Sequence, residues 1–307
     1  MRPIQFPYGG QAVIEGVMMR GLHRATVAVR APDGSIKWQD RDLNAVRRRR
    51  WAGIPILRGV QMLGDALMIG VWALLFANNT ASGEDEQPLT DGQTAGLIAT
   101  SLTFAIALFF VTPLVVASGA ARVFGLGVLG REVLEGALRL GIFVGYLLLI
   151  RRSRDIQRVF AYHGAEHKTV NAYEAGAPLT VANVRRFGLI HPRCGTSFVL
   201  VVLLLSIVVF TFLGDLPFWL RLVSRVVGVP LIAGVGYELL RLQARNYGKR
   251  WVRALVAPTL AMQKLTTAEP DDTQLEVAIV ALRRVLAADG VDVEQDAEQR
   301  SALVVPV

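Results

Sequence analysis

The sequence predicts a mainly α membrane protein: about four transmembrane helices, an interfacial amphipathic helix, a small N-terminal β-rich segment and a C-terminal cytoplasmic helix. Three observations predict it. Apolar residues make up 52% of the 307, and mean hydropathy is +0.41. A soluble chain of this length could not cover so much apolar surface. Several long segments are almost free of charge. The net charge of +8 comes from basic residues grouped beside those segments. Such grouping orients a chain in the lipid bilayer and argues against a nucleic-acid partner.

Residues 1–53 are expected to form the β-rich cytoplasmic segment. Runs at 25–30 and 35–39 flank Pro32-Asp33-Gly34, a hairpin pattern. Upstream, Gly9, Gly10, Gly16 and Gly21 punctuate the chain and permit tight turns or close backbone approach. No apolar signal core precedes them, so no cleaved signal peptide is expected. Arg47, Arg48, Arg49 and Arg50 read as an anchor at the membrane surface. Residues 54–77 are apolar but carry Arg58 and Asp65, and Gly59, Gly64 and Gly70 interrupt them. This segment is expected to lie in the interface rather than cross.

An acidic linker follows at 78–93. The first two spans fall within 94–150, at 97–117 and 135–150. The last two fall within 197–242, at 198–213 and 220–242. These lengths approach the ~20 residues that a ~30 Å hydrocarbon core needs. Gly141 and Gly145 allow close helix approach, most simply within the chain and otherwise in a homo-oligomer. Gly228, Pro230, Gly234 and Gly236 suggest a kinked, closely packed last span. Arg151, Arg152, Arg154 and Arg158 follow the second span, and Arg241, Arg245, Lys249, Arg250 and Arg253 the fourth. Placing both groups with Arg47 to Arg50 in the cytoplasm requires even numbers of crossings between them. Four spans with both termini inside satisfy this. Residues 243–288 form a cytoplasmic helical segment. There Asp271 or Asp272 caps a helix with an apolar stripe of Leu275, Ile279, Leu282 and Leu286. The acidic tail, 289–307, is expected to be mobile.

The chemistry concentrates in the cytoplasmic region 151–196. Three of the four histidines lie there. His163-x-x-Glu166-His167 places two imidazoles and a carboxylate on one helix face. This is the order of the inverted zincin motif, in which two histidines bind Zn²⁺ and the glutamate activates water. Glu174 returns to the same face and Asn171 lies near it. His191-x-x-Cys194 supplies a second chelating pair, and imidazole with thiolate favours zinc. Four ligands, His163, His167, His191 and Cys194, would make a closed structural site. Three ligands would leave a position for water and Glu166 as base. The third could be His191, Cys194, Glu174 or Glu238, the last an ionisable residue at membrane depth. Cys194 is the single cysteine, which excludes an intrachain disulfide. It could also be a small buried residue or, with a histidine, a nucleophile.

The motifs around residues 9–20, 163–174, 191–198 and 265–270 resemble those of the YqhQ-like family of bacterial membrane proteins. The family is a domain of unknown function labelled a predicted metal-dependent enzyme. The likeness runs from about residue 8 to residue 285. It implies a bacterial inner membrane protein and metal-dependent chemistry, without naming a reaction. The leading expectation is therefore a zinc hydrolase, such as a peptidase, facing the cytoplasm. The rival is a non-enzymatic scaffold or assembly factor that binds an unknown protein partner. A transporter with Glu238 on its path is weaker, because the spans hold few polar residues.

Overall fold

A computed structural model describes residues 8–43, 54–82, 89–213 and 216–291. The basic block at 47–50, the linker acids Glu84, Asp85 and Glu86, and the tail beyond 291 lie outside the described residues.

The N-terminal segment is a four-stranded antiparallel meander of β1 (Gly9–Val13), β2 (Gly16–Arg20), β3 (Arg24–Arg30) and β4 (Ile36–Asp42). The expected β3–β4 hairpin is present, and Gly34 takes the positive φ of 83° that its turn demands. The glycine-rich stretch is more than turns, since it forms the β1–β2 hairpin. Gly10 is essential to that pairing. A Cβ there would lie 1.9 Å from the Met18 carbonyl oxygen.

Strand alternation gives the sheet two buried faces. Val17, Met19 and Ala28 join the core built on α4 (Arg154–Glu174) and α9 (Asp272–Ala288). Met18, Val27 and Val29 pack instead on Ile69, Ala73 and Ala77 of α1 (Leu57–Ala81). Helix α9 begins as expected. Asp271 caps it in a reciprocal box with Gln274, and Leu275, Ile279, Leu282 and Leu286 are all buried. The first residue of the predicted mobile tail is pinned. The Asp289 carboxylate accepts from the N–H groups of Leu22 (2.7 Å) and His23 (2.9 Å).

Among the described residues, five helices are long and apolar enough to cross a membrane, as in a multi-pass membrane protein. They are α1, α2 (Asp91–Phe124, with a π-turn at Ala107–Val111), α3 (Val128–Ile150), α6 (Gly195–Phe212) and most of α7 (Phe218–Asn246). Segment 54–77, read as interfacial, belongs to one of them. The linker predicted over 78–93 is also shorter. Helix α1 runs to Ala81, and Thr90 starts α2 with a capping box. Near its start α1 crosses α7 closely, since a Cβ on Gly59 would sit 2.7 Å from the Gly234 carbonyl oxygen. Gly141 and Gly145 have no neighbour within 4 Å of a Cβ, so they mediate no packing within the described chain.

Helix α3 starts at Val128, not Glu135. The charges near its start are paired inside it. Arg139 Nη2 donates to Glu135 Oε1 (2.5 Å), and Arg225 Nη2 of α7 to Glu132 Oε2 (2.7 Å) and Glu135 Oε2 (3.0 Å). Arg139 Nε donates to the Phe109 carbonyl in the π-turn (3.1 Å), and the Arg225 guanidinium lies 4.2 Å over the Phe210 ring. Pairing of this kind is what lets Glu132, Glu135, Arg139 and Arg225 sit in an apolar interior.

Candidate metal centre

Helix α4 carries His163, Glu166, His167, Asn171 and Glu174 between its Ser153 N-cap and Ala175. The loop 185–194 crosses beside it, and Cys194 caps α6 by accepting from the Thr196 N–H (3.4 Å). The end of α8 (Arg250–Thr266) closes a third side.

Three of the predicted ligands converge. One donor atom each from His163, His167 and Cys194 lies within 4.8 Å of the others. The tautomers follow from the partners. His163 Nδ1 faces the Thr266 carbonyl at 2.8 Å, and His167 Nδ1 faces the Leu189 carbonyl at 2.5 Å. A carbonyl only accepts, so each Nδ1 carries a proton, and Nε2 is the atom that holds the lone pair when the ring is neutral. His163 Nε2 lies 3.2 Å from Cys194 Sγ. His167 Nε2 is buried with no hydrogen-bond partner. A backbone carbonyl behind each imidazole is the usual support of a metal ligand. The unpartnered His167 nitrogen also fits a cation better than it fits a dry core.

Glu166 is adjacent. Its Oε1 accepts from the Gly10 N–H at 2.9 Å, and its Oε2 stands 3.5 Å from His167 Nε2. The glycine-rich strand thus touches the histidine motif. His191 is a neighbour of the cluster rather than part of it. Its ring lies 5.8 Å from that of His167, and its Nε2 is 3.5 Å from Glu174 Oε2. Burial holds the His191 imidazole below its ordinary value, with the Glu166 carboxylate opposing, so the ring is neutral at pH 7. Glu174 pairs with Arg193. Asn171 donates to the carbonyls of Gly188 (2.9 Å) and Ile190 (3.1 Å), which fixes the loop that bears Leu189. Glu238 is engaged elsewhere, accepting from Arg58 Nε at 2.6 Å.

Sequence reasoning missed the residues that hold the ligands. Gln263 is fully buried. It accepts from the His191 N–H (3.0 Å) and donates to the His191 carbonyl (2.8 Å) and to Ser197 Oγ (2.9 Å). Gly164 lets the chain at Ala268 lie against α4, with the Ala268 N–H donating to the Phe160 carbonyl at 2.9 Å. A helical glycine between the two histidines was the available signal.

The comparisons agree with this picture at the level of family. Residues 54–288 match the family model described as "Protein of unknown function (DUF1385)". The chain is 33% identical over 298 residues to "Uncharacterized protein YqhQ" of Bacillus subtilis (strain 168), covering 91% of this chain and 92% of that protein. No solved structure matches. Neither description names a metal or a reaction, so any chemistry rests on this chain's own residues.

Proposed function

The chain belongs to the YqhQ-like DUF1385 family, and from that premise we propose a membrane-anchored zinc hydrolase whose centre is His163, His167 and Cys194. One observation carries the reading. Both imidazoles give Nδ1–H to backbone carbonyls, and a ring nitrogen of each lies within 4.8 Å of the same sulfur. Zinc bound there supplies Lewis acidity, enough to make water a nucleophile near neutral pH. Glu166 acts as general base at Oε2, while the Gly10 N–H holds Oε1 and fixes the carboxylate plane. Asn171 and Gln263 keep the loop 188–194 in place. Peptide bonds are the first substrate class to test.

Burial favours a second reading. Glu166, His167, His191 and Cys194 are each at most 5% exposed. A closed structural centre that staples β1, α4, α6 and α8 together suits a scaffold or assembly factor. Elemental mass spectrometry on purified wild type beside H163A, H167A and C194A is the test. About one zinc per chain, lost with either histidine, supports the centre. No metal after zinc reconstitution overturns it. E166Q separates the readings: the hydrolase keeps its metal and loses turnover, whereas the structural centre keeps both its metal and its fold.

The same contacts support a topology of four crossings. The Gly10–Glu166 and Asp289–Leu22 bonds keep β1, α4 and α9 on one side of the membrane. Between the sheet and α4 lie α1, α2 and α3, so one of these three does not cross. Helix α1, with Ile69, Ala73 and Ala77 against the sheet, is that one. Both termini then face the cytoplasm in a bacterial inner membrane, by the positive-inside bias. Appending a reporter at each terminus and after Phe124 checks this; opposite sides for the two termini would refute it.

A further inference from the structure

The charged network of α3 and α7 is out of balance. Among the described residues, Glu132 and Glu135 are shared by Arg131, Arg139 and Arg225. Arg221 is left over. It is 7% exposed, yet its Nε and Nη1 are buried without a hydrogen-bond partner. The guanidinium groups of Arg131 and Arg225 and the carboxylates of Glu132 and Glu135 are the charges around it. A buried guanidinium with unpartnered donors is costly unless an anion completes it. The fork geometry of arginine fits phosphate oxygens in pairs.

The position tells which phosphate. Arg131 stands in the first turn of α3 and Arg221 in the first turn of α7. The opposite end of α3 leads into α4 and the histidine cluster. At 1.5 Å per residue the arginines lie roughly 28 Å along α3 from that end, about the thickness of a hydrocarbon core. They therefore sit at headgroup depth on the other face. On the stripe that Arg131 begins, Leu134, Ala137, Leu138, Gly141 and Ile142 line an open apolar groove of about 380 Å³. The groove descends from the arginines at helical spacing, and the bare Gly141 keeps it open.

We propose that Arg221, with Arg131 beside it, binds the phosphate of an anionic phospholipid, with an acyl chain lying along the groove on α3. The site is distinct from the histidine cluster and carries no chemistry of its own. It anchors the far ends of α3 and α7.

The test is native mass spectrometry of the full chain from micelles containing phosphatidylglycerol and phosphatidylcholine. Wild type is expected to retain phosphatidylglycerol in preference, and R221Q to lose about tenfold of that retention. R221K should keep part of it, because one charge remains without the fork. G141L leaves the buried network untouched and should weaken retention by filling the groove. Equal retention in R221Q and wild type overturns the proposal. So does full displacement by inorganic phosphate with no effect of G141L, which would mark a free-anion site. A dimer lost in G141L with lipid retention unchanged would assign the groove to a second copy and also overturn it.

Discussion

Replacing Gly164 with alanine asks whether the support of the histidines is as tight as the geometry requires. A Cβ at Gly164 would stand 2.1 Å from the Ala268 carbonyl oxygen and 2.8 Å from Leu189 Cδ2. Real Cβ contacts do not fall below 3.0 Å, so the chain at Ala268 must retreat by about 0.9 Å. Two residues upstream, the Thr266 carbonyl holds His163 Nδ1 at 2.8 Å. The same retreat carries that bond past the ~3.2 Å limit of a good N–H···O contact. Pressure on Leu189 disturbs the carbonyl that orients His167. Overpacking costs about 1–3 kcal/mol and the weakened buried bond about 1 kcal/mol. Alanine returns up to about 1 kcal/mol of helix propensity. The net expectation is a loss of about 1–3 kcal/mol, with zinc affinity down about 10–100-fold. Thermal unfolding in detergent and a zinc titration read the two effects. Gly64, with nothing within 4 Å of its Cβ position, is the control, and G64A should lose neither. Wild-type stability and zinc affinity in G164A would refute the reasoning.

Other outcomes follow from the same contacts. Q263L removes the partners of the His191 N–H, the His191 carbonyl and Ser197. It should cost about 1–3 kcal/mol, and an unchanged unfolding midpoint would count against the assigned role. N171A frees the loop at 188–190 and should lower zinc affinity about tenfold or more, with little effect on global unfolding. E135Q uncovers Arg139 and Arg225 in the interior and should destabilise by about 3–5 kcal/mol, read as loss of the folded peak in detergent. Burial raises the Asp40 carboxyl, but hydrogen bonds from Arg284 and Thr26 and the charges of Arg284 and Arg24 outweigh it and hold it below its ordinary value. Stability from such a group is complete above the unfolded value and is lost as pH falls through the folded one. Wild type should therefore lose unfolding midpoint below about pH 4, and D40N should lose less over that range; parallel curves would exclude Asp40 as a source.

Much of the site was legible because it needs only a helix. His163 and His167 share a face at i, i+4 whatever surrounds them. The His191 to Cys194 spacing brings the sulfur to the start of α6. What could not be read is the backbone. Thr266, Leu189 and Gly10 act through main-chain groups, which leave no mark on residue type, and they come from distant parts of the chain. His191 matched a ligand pattern and its Nε2 is likewise buried without a hydrogen-bond partner, but its ring stands beside the cluster, 5.8 Å from that of His167. In the membrane part, apolar runs gave the helices but not all of their ends. The span placed at 135–150 began too late, because Glu132 and Glu135 lie inside the helix and pair with Arg225, 90 residues from Glu135. The β1–β2 hairpin escaped because glycine lowers strand propensity, and here glycine serves close pairing instead.

The bond between Gly10 and Glu166 spans 156 positions, and that between His163 and Thr266 another 103. One partner precedes every apolar helix and another follows the last. During synthesis, then, His163 emerges long before the Thr266 carbonyl that sets its tautomer, whereas His167 meets the Leu189 carbonyl 22 positions on. The His163 ring lacks this partner until the final helix has been inserted and α8 has folded back. Closing such long loops is the slow part of assembly. Completion of the cluster thus reports that the whole chain has been threaded correctly. A polypeptide stalled, truncated or inverted at any helix would leave imidazole and thiol exposed, available to proteases and to oxidation.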